Sequence, residues 1–342
     1  MLIPSQDEWG PSMGTLHVRY RRVLSFGDVL DESIRLFRQH WVNFALVSAV
    51  ALIPPGLFEI WLTASGPFTN LLTFAGTPSG RFVQAAALDP EMGALVASFV
   101  IWALFNCIWS AAVTATTEAY LRGGEPSLLR VYRRALRRLF AVLLGTLLYA
   151  LGLSILGAIG FVLFVFTVFP GFGGIVPAIA LLVWWLNPAA RKAWLKWLII
   201  VCTPFGLLIY FGTRWSMYIA AIVLERLGPL ASLRRSSELI NRQVFRVLAI
   251  MTVSSTIVGV LVYTPSTLIA IPLMISSGIV DYGSAPGAVI SQAVAVVLRI
   301  LFQSVGAIVY TVMFVDLRNR HEGTDLAERL TQLEMAPAVP GG

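Results

Sequence analysis

Charge is scarce in this chain. Asp, Glu, Lys and Arg together make up 13% of its 342 residues, about half the share a soluble domain carries. With 57% hydrophobic residues and a mean hydropathy of +0.78, water cannot be the solvent for most of its surface. The two cysteines, Cys107 and Cys202, both lie in apolar runs, which argues against a disulfide framework or a thiolate metal site. His17, His40 and His321 are far apart in sequence and do not approach metal-ligand spacing. The chain has no GxSxG elbow and no phosphate-binding glycine loop followed by Lys and Ser/Thr. Its apolar runs contain no histidine to activate a serine. ATP-driven transport by this chain alone and serine hydrolysis are therefore not expected, nor is a metal or cofactor. The first 24 residues contain no apolar core of signal-peptide length and read as a cytoplasmic segment rather than a cleaved leader.

What the chain has is long apolar runs, each preceded or followed by clustered arginines. A membrane-crossing helix needs about 20 mostly apolar residues. Candidate spans fall near 41–63, 93–117, 139–169, 197–224, 244–276 and 288–315, giving an all-α polytopic bundle of about six spans in one domain, 25–330, with a disordered tail, 331–342. Leu139 to Ala190 contains no charged residue and is long enough to cross twice. With one crossing, Lys and Arg divide 19 against 4 between the two sides; with two, 14 against 9. The positive-inside rule selects six spans with both termini cytoplasmic. Gly171 to Lys196 then becomes an extracytoplasmic interfacial or re-entrant excursion, although Trp184, Trp185, Trp194 and Trp197 would also flank a true span. The net charge of +7 reports orientation and contact with anionic lipid headgroups, not nucleic acid.

Three charged stretches, Ser25 to His40, Ser127 to Arg138 and Gly228 to Gln243, lead directly into apolar sequence. Ser25 with Asp28 resembles a capping box, and Pro229 after Gly228 suits a first helical turn. The stretches read as amphipathic helices on the cytoplasmic membrane surface. Arg38, Arg137 and Arg242 each stand three residues before an aromatic, Trp41, Phe140 or Phe245, and are the expected lipid-headgroup contacts. The coincidence suggests one surface helix plus two spans, used three times. The ordinary placement of Arg and an aromatic at an inner boundary accounts for it equally well.

The segments VLSFGDVLDESIRLFRQHW, RWSMYIAAIVLERLGPLASLRRSSELINRQVFRVLAI and VDLRNRHEGTDLAERL resemble the glycerophosphoryl diester phosphodiesterase membrane domain family of bacterial and archaeal membrane proteins. The resemblance extends from about Val23 to Leu330. It implies a membrane module of a prokaryotic cytoplasmic membrane. The soluble phosphodiesterase that accompanies the module in some family members does not fit after Leu330.

Ionisable residues inside apolar runs are the remaining clues, since charge in hydrocarbon is costly. Glu59 and Arg299 fall at similar depth and are expected either to pair or to reach water separately. Arg214 lies near the middle of its run, with three candidate roles: holding an anionic ligand, neutralising a helix C-terminus, or pairing with Glu118. Glu225, Asp316, Arg318 and Arg320 form a candidate cluster at the inner face. Two functions remain. One is a non-enzymatic scaffold or accessory subunit that docks a protein partner on the basic cytoplasmic face. The other is a carrier or lipid-handling protein with a polar cavity around Arg214, Gln303 and Asn106, opened by Pro54 and Pro55 or by Pro204 and Gly206.

Overall fold

A computed structural model describes residues 24–65, 90–172, 206–276 and 286–322. Their helices are α1 (Phe26–Ser65), α2 (Pro90–Leu121), α3 (Leu128–Phe172), α4 (206–215), α5 (Tyr218–Leu224), α6 (Pro229–Ile240), α7 (Val244–Ser276), α8 (Pro286–Phe302) and α9 (Ser304–Glu322). Among the described residues six stretches are long and apolar enough to cross a membrane, so this is a multi-pass, all-α bundle. Most of the segment from Gly171 to Lys196, and the tail 331–342, lie outside the described residues.

Glycines show how neighbouring helices run, because each allows a close approach. Down α3, Gly145 faces Tyr218 and Ile222, Gly152 faces Trp215, and Gly157 faces Leu208. α3 and the α4–α5 pair are therefore antiparallel, so α3 and α4–α5 count as one outward and one returning span. Leu24, Glu118, Glu225, Arg246 and Asp316 consequently collect at one end of the bundle, the charged end. This is the arrangement the six-span threading requires.

The returning helices α2, α5 and α9 pack on one another and are central, while α1, α3 and α7 are peripheral. Residues 110–121 of α2 and most of α5 and α9 are buried. The peripheral helices instead leave apolar rows outside for lipid, such as Val42, Leu46, Val50, Ile53, Leu57 and Trp61 on α1. These rows begin at Trp41, Phe140 and Phe245, the aromatics that mark the three junctions in the sequence.

The three charged stretches take three different forms. α1 is kinked at His40 (φ −127°, ψ 25°), whose ring stacks on Tyr120 at 3.9 Å, so its first part is set off from its span. α6 is a separate helix that turns Ser232, Ser236, Leu239 and Ile240 into the protein against α3, α5 and α9. The stretch from Ser127 to Arg138 is not an interfacial helix. It is the uninterrupted first part of α3, because nothing between Arg138 and Phe140 breaks helical bonding.

Pro54 and Pro55 do not open α1, which has non-helical geometry only at His40. A proline removes one amide donor and leaves the carbonyl four residues earlier without a partner. The Tyr132 hydroxyl of α3 donates to the Val47 carbonyl, in the helical turns just before the prolines.

Candidate functional site: a polar cavity between two broken spans

Two spans are interrupted, neither at a proline. The fourth breaks between α4 and α5 at Ser216–Met217, and the sixth between α8 and α9 at Gln303. At the first break the Ser216 amide and hydroxyl both turn back to the Thr213 carbonyl, at 3.2 and 2.8 Å. That leaves the Met217 amide and the Arg214 carbonyl without helical partners. One hydroxyl from α6 serves both: Ser236 Oγ accepts from Met217 N at 3.1 Å and donates to Arg214 O at 2.7 Å. α6 thus holds the break open. At the second break the buried Ser304 hydroxyl has no hydrogen-bond partner among the described residues.

Both breaks face a cavity of about 410 Å³. Asn106, Trp109, Ser110 and Thr114 line it from α2, Tyr149 from α3, and Ser216 to Ala220 from the first break. Met251, Ser255 and Tyr263 contribute from α7, and Gln303, Gly306, Ala307, Tyr310 and Thr311 from the second break. No lining residue is charged. The walls offer hydroxyls, two carboxamides and aromatic faces, a surface suited to a neutral or amphipathic molecule and to a few orienting hydrogen bonds. Tyr263 lines the cavity and is 55% exposed, which puts it at the cavity's mouth. On one side α7 packs on α8 and α9; on the other α3 packs on α2, α5 and α6.

Gln303 and Asn106 were legible in the sequence as cavity residues, but Arg214 is not one of them. The chain turns two residues beyond Arg214, leaving it in the last turn of α4. There its guanidinium folds back over the Tyr210 ring, 5.4 Å from the centroid, and hydrogen-bonds the Tyr210 hydroxyl at 3.0 Å. A cation at a helix C-terminus is favourably placed against the helix dipole. The tyrosines Tyr149, Tyr218, Tyr263 and Tyr310 had no sequence signal, since an aromatic in an apolar run reads as core.

Glu59 and Arg299 meet at 2.7 Å, and Gln292 Nε2 donates to the same carboxylate oxygen at 2.6 Å. Arg299 also lies 6.0 Å from the centre of the Tyr263 ring, which connects this pair to the cavity wall. Glu118 is not an isolated charge within a span. It pairs with Arg122 and, at 2.8 Å, with Arg134 of α3, because α2 runs on past the apolar belt to the charged end.

Glu118 belongs instead to a cycle at the charged end. The carboxylate near the end of each central helix grips the element that follows. Glu118 of α2 holds Arg134 of α3, and Glu225 after α5 holds Arg235 of α6 at 3.0 Å, with Glu322 on the same guanidinium. Asp316 of α9 closes the ring, accepting from the Leu24 amide ahead of α1 at 2.8 Å and from Arg246 and Arg320 at 2.9 Å each. Burial opposes the charge on Arg235, but hydrogen bonds and attraction from Glu225 and Glu322 outweigh it and raise its pKa. Of the expected cluster, Asp316 and Arg320 pair directly, Glu225 pairs instead with Arg235, and Arg318 forms no ion pair among the described residues. Arg38, Arg137 and Arg242 are exposed and likewise have no ion pair among the described residues.

Among the described residues no group of three or more His, Cys, Asp and Glu side chains is arranged to hold a metal. Comparisons with family models, with curated proteins and with solved structures find no match.

Proposed function

We propose that this chain is a non-enzymatic carrier or lipid-handling protein whose ligand seat is the cavity between the two broken spans. The observation that carries the reading is the meeting of Ser216–Met217 and Gln303 at one uncharged cavity. Irregular backbone among membrane helices is tolerated where it lines a cavity, and discontinuous helices commonly form the sites of carriers. The ligand is neutral where it contacts the walls, in keeping with their chemistry, and enters from the bilayer past Tyr263. The anionic seat at Arg214 expected from the sequence has no counterpart in the lining.

By the positive-inside rule the charged end faces the cytoplasm, with both termini there. The resemblance to the glycerophosphoryl diester phosphodiesterase membrane domain family supports a prokaryotic cytoplasmic membrane. The scaffold reading has less behind it, because the outward faces of α6 and the first part of α3 mix arginines with exposed Leu128, Leu129, Leu136 and Leu230, a pattern that suits the membrane interface.

The test is movement of a fluorescent phospholipid between the leaflets of reconstituted vesicles. Gly306 lines the cavity, and a Cβ built there meets nothing closer than Val258 at 3.8 Å, so Gly306→Trp is accommodated at its base and fills the space. The wild-type protein is expected to accelerate lipid movement and folded Gly306→Trp to lose at least about nine-tenths of that acceleration, following the steric logic of a filled pocket. No acceleration by the wild type, or an undiminished rate in the variant, overturns the reading.

A further inference from the structure

The first part of α3 carries Arg130, Arg133, Arg134, Arg137 and Arg138, at steps that put all five on one face of the helix. Together with Arg226 and Val223 from beyond the cavity, they line a second groove of about 520 Å³ at the charged end. Arg134 pairs with Glu118 behind the groove and also donates to the Val223 carbonyl. Arg133, Arg137, Arg138 and Arg226 form no ion pair among the described residues. Arg226 lies in the left-handed backbone region (φ 57°), which residues other than glycine seldom adopt. Like charges at these spacings on one helix face repel, so the groove is complementary to an anion that none of its own residues supplies.

We propose that this groove binds an anionic phospholipid, with a lipid bearing two phosphate groups as the preferred occupant. The charge pattern selects phosphate, which arginine grips in a planar, bidentate way. Arg130 to Arg138 spans about 12 Å of helix, room for two phosphates. The row below selects lipid over a soluble phosphate. Arg133, Arg137, Phe140, Leu144, Leu147 and Leu151 follow one another at three- and four-residue steps along the same side of α3, and the four apolar members are exposed, Phe140 by 78%. A headgroup on the arginines therefore places its acyl chains along Phe140 and the leucines. This site is separate from the cavity and does not depend on the carrier reading.

The test is native mass spectrometry of the full chain in detergent, titrated with tetraoleoyl cardiolipin, dioleoyl phosphatidylglycerol, dioleoyl phosphatidylcholine and inorganic pyrophosphate. Two triple variants remove the same charge: Arg133→Gln, Arg137→Gln, Arg138→Gln in the groove, and Arg38→Gln, Arg234→Gln, Arg242→Gln outside it. Each basic side chain near an anionic headgroup contributes roughly fivefold in affinity, so the groove triple is expected to weaken cardiolipin binding about a hundredfold. The outside triple is expected to change it by less than about threefold, and phosphatidylcholine to bind far more weakly than cardiolipin throughout. Equal losses in both triples indicate diffuse attraction to a basic surface and overturn the site. Pyrophosphate binding without cardiolipin binding overturns the lipid assignment. Arg226→Gln, which removes a groove charge from a different element, is expected to weaken cardiolipin about fivefold; an unchanged affinity there removes Arg226 from the site and refutes the groove as drawn.

Discussion

Ser236 bears more on the cavity than a serine in a basic helix suggests, and its replacement by alanine gives the sharpest test of how the fourth span is broken. The side chain is fully buried, and its one hydroxyl satisfies both the Met217 amide and the Arg214 carbonyl. Ser236→Ala removes both partners together. An orphaned buried polar group costs about 1–3 kcal/mol, so two would cost about 2–6. Alanine returns up to about 0.5 kcal/mol in helix propensity. Thr213 O is already engaged by Ser216, so the Met217 amide cannot recover a full-strength helical bond without rewinding the turn. The expected net loss is about 3 kcal/mol, near the lower half of that range because α4 has room to adjust. Denaturant unfolding in mixed micelles, with Ser237→Ala as the neighbour that shares the propensity change but not the bonds, isolates this term. Ser237→Ala should stay within about 0.5 kcal/mol of wild type. If Ser236→Ala costs less than about 1 kcal/mol and leaves lipid movement unchanged, the hydroxyl does not hold the break and the account of the cavity fails.

Asp316→Asn is expected to be costly for a different reason: the carboxylate is wholly buried between Arg246, Arg320 and the Leu24 amide, and breaking such a set by removing one charge costs about 3–5 kcal/mol. Hydrogen exchange should show the start of α1 opening first, and protection at Ser25 to Val29 equal to wild type would refute the closure of the ring there. For Glu59 and Arg299, loss of either partner alone, as Glu59→Gln or Arg299→Gln, should destabilise more than the double replacement predicts by addition, with a coupling of about 1–3 kcal/mol in a double-mutant cycle. Additive losses would mean the pair is not coupled.

The class of the molecule was written in its composition. Long apolar runs must be satisfied internally in lipid, and helices do this locally, so a bundle of membrane-crossing helices follows from hydropathy, while one or two crossings after Leu139 had to be chosen by charge counting. Boundaries were also legible, because Trp41, Phe140 and Phe245 change the preferred solvent of the chain within a residue or two. α3 and α4–α5 run antiparallel, and the residues between them lie outside the described ones.

The positions of the breaks were not legible. Pro54 and Pro55 looked like breakers, yet the chain stays helical there; Ser216–Met217 looked like ordinary span sequence, yet it breaks with Ser236 covering the gap. At that break the deciding hydrogen bonds come from a different helix, α6. Propensity describes a residue with its near neighbours, whereas a backbone group in lipid takes whatever partner the packing brings. Arg214 shows the same limit, since its place in the sequence fixed its depth but not its direction. The sequence by itself therefore determined that this is a multi-pass helix bundle with long apolar runs and clustered arginines at their ends. Tertiary structure alone decided which spans break, which side chains meet in the cavity and which carboxylate grips which arginine, because each of those depends on groups that only packing brings within hydrogen-bonding distance.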